Sequence, residues 1–123
     1  MPYISANDDR REKLRNGEPA LTAGELNYQI FYYVKHNYHI TNSEDGRLDF
    51  ESNIIRFVIN FLGDKPNYQK YNDMTGALIR CAKEITRRLQ INLNSTLMGI
   101  MNFYDKEIAK YEDKKIISNG DVE

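Results

Sequence analysis

The stretch Asp49–Leu62, DFESNIIRFVINFL, decides how the rest of the chain is read. Phe50, Ile54, Phe57, Val58 and Phe61 recur at helical spacing and share one face, while Ile55, Ile59 and Leu62 widen it. No period of two is sustained here, so the segment reads as a helix, with Asp49 as its N-cap and Gly63 just past its end. An apolar arc this broad implies neighbours on several sides, which makes this the expected central helix.

Working outward, the segment before it begins at Thr22, where Thr22 and Glu25 stand in capping-box spacing. Its apolar stripe is Leu26, Ile30, Tyr33 and Val34, and the turn formers Thr41–Gly46 are expected to end it as a loop. A short helix over residues 7–15, capped by Asn7 and stopped by Gly17, is expected upstream.

Beyond Gly63, Pro66-Asn67 opens a helix running to Leu89, with Tyr71, Thr75, Leu78, Ala82, Ile85 and Leu89 inward. Thr75 and Ala82 are small enough to let a partner helix approach closely. Asn92–Ser95 reads as a break, with Ser95 capping a further helix to Lys114 whose stripe is Leu97, Met101, Tyr104, Ile108 and Tyr111. One long bent helix over 67–114 is the alternative. Residues 116–123, with Asn119-Gly120-Asp121, read as a turn in an extended segment.

The expected fold is therefore all-α: an antiparallel bundle of about four helices with a short N-terminal helix and an extended C-terminal tail. The 123 residues suit one domain, divided into an arm (1–20), a helical core (22–114) and a tail (115–123).

Composition excludes several function classes. A net charge of −1 lacks the basic excess of bulk nucleic-acid binders. The longest apolar stretch, Ile54–Leu62, is broken by Arg56 and Asn60 and is too short to span a membrane. Cys81, the single cysteine, rules out an internal disulfide and fits a reducing cytoplasm. It falls beside the apolar face of its helix, a poor place for a nucleophile. No Gly-Lys-Ser/Thr triplet forms a phosphate loop, and the acidic residues are dispersed or paired with bases rather than clustered for magnesium. His36 and His39 stand i and i+3, but no further histidine completes a metal site, so no metal or cofactor is expected. An enzyme is not expected either.

Two surfaces remain as candidates. Tyr28, Tyr32, Lys35, His36 and His39 line the face opposite Leu26, Ile30 and Val34. Aromatic rings on a face that should be solvated suggest burial against another part of the bundle, a second subunit or a foreign protein. Arg80, Lys83, Arg87 and Arg88 form a basic stripe that, with Tyr68 and Asn72 at the start of the same helix, offers an anion or nucleotide site.

Several short motifs are also familiar in order. They are Pro2-Tyr3-Ile4, Gly24-Glu25-Leu26-Asn27-Tyr28, Asn67-Tyr68 with Asn72-Asp73 and Gly76-Ala77-Leu78, and Tyr111–Ile116 followed by Asn119–Val122. Together they resemble a family of small uncharacterised proteins encoded by tailed bacteriophages and prophages. The span between Arg88 and Tyr111 is longer here than in that pattern. The resemblance implies action in the cytoplasm of an infected bacterial host and carries over no functional residues. The expected role is that of a non-enzymatic accessory protein binding a host or phage protein as a homo-oligomer, with nucleotide sequestration as the alternative.

Overall fold

The structure, a computed structural model, describes residues 9–119. It contains α1 (Asp9–Arg15), α2 (Ala23–Asn37), a 3-10 segment (Tyr38–Asn42), α3 (Glu44–Leu62), α4 (Tyr68–Leu89), α5 (Asn94–Phe103) and α6 (Asp105–Asn119). There is no strand among the described residues. The chain is all-α, and its helix contacts fit a bundle.

Several helix ends follow from local chemistry. Thr22 caps α2, its hydroxyl accepting from the Glu25 N–H at 3.1 Å, while the Glu25 carboxylate takes the Leu21 N–H at 2.9 Å. Asn67 caps α4 by accepting from the Lys70 N–H. Gly63 ends α3 at φ +73°, and Gly17 follows α1 at φ +95°, conformations that cost glycine little. The expected cap of α1, Asn7, lies outside the described residues.

Several expectations need correction. Asp49 does not cap α3, because the helix starts at Glu44 with Ser43 accepting from the Gly46 N–H at 3.0 Å. Glu44 and Asp45 then occupy the first turn, where their charge suits the helix dipole. Gly46 is a turn former by habit, but here it is helical: a Cβ at this position would overlap the Ile40 carbonyl oxygen. The chain does break before α5, yet Gln90 makes the break in a left-handed conformation. Ser95 is not the cap; Asn92 accepts from the Asn94 N–H instead. The fourth long helix is itself interrupted at Tyr104, whose N–H turns back to the Met101 carbonyl. Finally, the tail expected to be extended from residue 115 is helical through Asn119, since nothing from Asp105 to Asn119 breaks a helix.

The core gathers Leu26, Ile30 and Val34 of α2 against Met74, Leu78, Cys81 and Ile85 of α4. Phe50, Ile54, Val58 and Phe61 of α3, Leu97 of α5 and Leu14 of α1 complete it. Burying each large aliphatic side chain is worth about 1.5–3 kcal/mol. The most extensive helix pairing is α2 with α4, so α3 is not the central helix. Small residues make that pairing close: Ala77, Cys81 and Ala82 are buried, and the Cys81 sulfur lies 3.8 Å from the Asn27 carbonyl oxygen. Tyr33 ties α2 to α3 through its ring contacts with Phe50 and Phe57 and a 2.8 Å bond accepted from Asn53.

Candidate functional site

Part of the aromatic face of α2 is covered by α1. Tyr28 stacks on Tyr32 with centroids 6.1 Å apart, and Tyr32 meets His36 at 4.4 Å. Over this ladder lie two arginines of α1: Arg11 is 5.2 Å from the Tyr28 ring centre and Arg15 is 4.7 Å from that of Tyr32. Arg15 also donates to the Tyr28 hydroxyl at 2.7 Å. Each cation–ring contact contributes roughly 0.5–1 kcal/mol at a partly exposed site. Lys35 and His39 stay exposed at the far end of this face.

Other bonds fasten α1 in place. The buried Gln29 amide donates to the carbonyls of Leu14 and Glu18 at 2.9 and 2.8 Å, satisfying acceptors at the end of α1. Arg10 grips Glu25 with two 2.9 Å hydrogen bonds and also reaches Glu18 and the Pro19 carbonyl. The Arg10 guanidinium holds the Glu25 carboxyl below its ordinary pKa.

The residues of the basic stripe line neither of two grooves that α5 forms with its neighbouring helices. Arg80 and Lys83 are exposed, Arg87 pairs with Glu84 at 2.7 Å, and Arg88 lies over Phe31 at 4.7 Å. Tyr68 and Asn72 sit elsewhere, in a groove of about 330 Å³ shared with α5 and α6. Asp105 and Glu112 line that groove, which makes it unfavourable for an anion. Among the described residues, no group of three or more His, Cys, Asp or Glu is placed to hold a metal. Cys81 is fully buried, and desolvation, reinforced by Glu84, pushes its thiol far above the usual range. A protonated, inaccessible thiol has no nucleophilic use.

A bare apolar surface lies on α3 and α5. Leu48, Ile55 and Ile59 of α3 are 60%, 40% and 51% exposed, and Phe103 at the end of α5 is 77% exposed. Between α3 and α5 runs a groove of about 480 Å³ lined by Ile55, Ile59, Gly99, Ile100 and Phe103, with Glu51 at its edge. Helix α5 carries no charged residue, and it also exposes Met98. Isolated surface leucines need no explanation, but several large apolar side chains around one groove do. The sequence held the signal: Leu48, Ser52, Ile55, Ile59 and Leu62 follow a four-three-four-three spacing. That is a second stripe, separate from the core stripe of the same helix. Only Leu62 of its apolar members is buried.

No helix among the described residues is long and apolar enough to cross a membrane. The chain belongs to the family DUF6899, a domain of unknown function, which matches residues 1–122. No curated protein and no solved structure matches it.

Proposed function

We propose that this member of the DUF6899 family is a non-enzymatic interaction protein, a self-associating accessory factor that docks on a host or phage protein. The bacteriophage setting, and with it the cytoplasm of an infected bacterium, follows from the motif resemblance described above. The observation that carries the reading is the apolar groove between α3 and α5 with its exposed Ile55, Ile59 and Phe103. Among the described residues the one thiol is buried, and no group of three or more His, Cys, Asp or Glu is placed to hold a metal. We take α3 and α5 as the working surface ahead of the tyrosines of α2, two of which already carry arginines of α1.

Affinity capture from infected-cell extract tests this, with wild-type protein and Phe103→Asp as paired baits. Phe103 is so exposed that the variant should melt as the wild type does. A protein retained by the wild type and lost by the variant supports the docking surface. Identical captures by both would remove it. Nucleotide binding through Arg80, Lys83 and Arg87 would replace this reading if nucleotides raised the melting temperature and Arg80→Ala abolished the rise.

A further inference from the structure

We propose that the outer stripe of α3 is a two-fold seam against a second copy of this chain, the two α3 helices crossing antiparallel at Ser52 and Ile55. This rests on reading the α3/α5 face as the working surface, and it names what covers α3 there.

A helix at the edge of a bundle needs one apolar stripe, and α3 already supplies it through Phe50, Ile54, Val58 and Phe61. The second stripe has the heptad spacing that one helix uses to meet another, and its Leu48, Ile55 and Ile59 are left in solvent. Its order is close to palindromic, with an aliphatic at each end and Ser52 and Ile55 between. Antiparallel pairing sets Leu48 against the partner's Ile59 and seats the partner's Ile55 over the small Ser52.

The flanks select the direction. Glu51, Ile55 and Ile59 line the groove with α5, so α5 occupies one flank of the stripe. Asp49 and Arg56, each one residue after a stripe position, are exposed on the opposite flank and make no ion pair among the described residues. A two-fold axis perpendicular to the helices brings like flanks together. The uncharged α5 then lies on the same side of the seam as the partner's α5, and Asp49 faces the partner's Arg56, twice over. Parallel pairing would instead set the apolar surface of α5 against the charged Asp49–Arg56 flank. Desolvating those charges without partners is unfavourable.

Light scattering on the full chain at micromolar concentration should return twice the chain mass. Ile59→Glu should leave helicity intact and raise the dimer dissociation constant at least about a hundredfold, by placing a charge in an apolar seam. Asp49→Arg or Arg56→Asp alone should weaken the dimer, and the two together should restore it. Register is read by oxidative crosslinking, which the buried Cys81 will not confuse. Chains bearing Leu48→Cys mixed with chains bearing Ile59→Cys should crosslink, while either alone should not, because its two thiols lie about 16 Å apart along the antiparallel seam. Efficient crosslinking by one variant alone overturns the antiparallel seam. A strict monomer at about 100 μM, where a stable dimer would be populated, overturns self-association through α3. The docking role would then stand or fall by the Phe103→Asp capture alone.

Discussion

Two sides of the molecule handle awkward surface in opposite ways. On α2, tyrosines at positions that should be wet are roofed by arginines of α1, and the polar ends of the rings stay reachable. On α3, aliphatic residues at equally outward positions have no roof among the described residues. Tyrosine offers both a cation-binding face and a hydroxyl, so charged neighbours can complete it. Isoleucine offers only area, and another apolar surface is its one good partner. An aromatic on a polar face can thus mark an intramolecular clasp, whereas a surplus aliphatic stripe is the stronger sign of an outside partner.

That contrast can be broken most severely between the α2–α4 pairing and the bare face. Leu78→Ala, in the fully buried contact of α4 with α2, should cost about 2–5 kcal/mol of unfolding free energy in urea titration. Ile59→Ala, read at sub-micromolar protein so that assembly does not contribute, should change it by no more than about 0.5 kcal/mol. A comparable loss at both positions would show that Ile59 is held within the folded chain.

The clasp comes next. Glu25→Gln should cost about 1–2 kcal/mol near neutral pH by weakening the charged hydrogen bonds from Arg10. Because the folded Glu25 pKa lies below its ordinary 4.5, the ionised form is the one that folding favours. The wild-type advantage is therefore complete above about pH 5 and shrinks as pH falls through 4.5 and below. Melting curves of both proteins across that range give the sign directly.

Tyr28→Ala should cost less than the loss of the Glu25 charge, about 1 kcal/mol from lost arginine contacts. Its hydrodynamic mass should stay that of the wild type, since α1 already occupies this face. A change of mass on removing Tyr28, with none on removing Ile59, would invert the assignment of the two sides.

The legible parts of the fold were those set by neighbours in sequence. Thr22 with Glu25, Gly63 and Asn67 each mark a helix end through contacts within a few residues. Leu26, Ile30, Val34, Leu78 and Ile85 announced the core by period alone. Gly46 misled because its composition says turn, while its role is to let the Ile40 carbonyl approach a helix. The arginine roof was hidden because Arg11 and Arg15 reach Tyr28 and Tyr32 across an intervening turn, which no local pattern records. Ile55 and Ile59 were in plain view as a widening of one arc. Taking that arc to be buried inside the bundle left the outer stripe of α3 out of the candidate surfaces, because a period shows which residues share a face but not whether the chain itself covers it.

The Gln29 side chain sets an order of events during synthesis. Helix α1 has seven residues, too few to persist alone in water. The amide that holds its end is carried by α2, which leaves the ribosome later. Helix α1 is thus secured only after it has been made, and a nascent chain halted before Gln29 lacks the amide that holds the helix end.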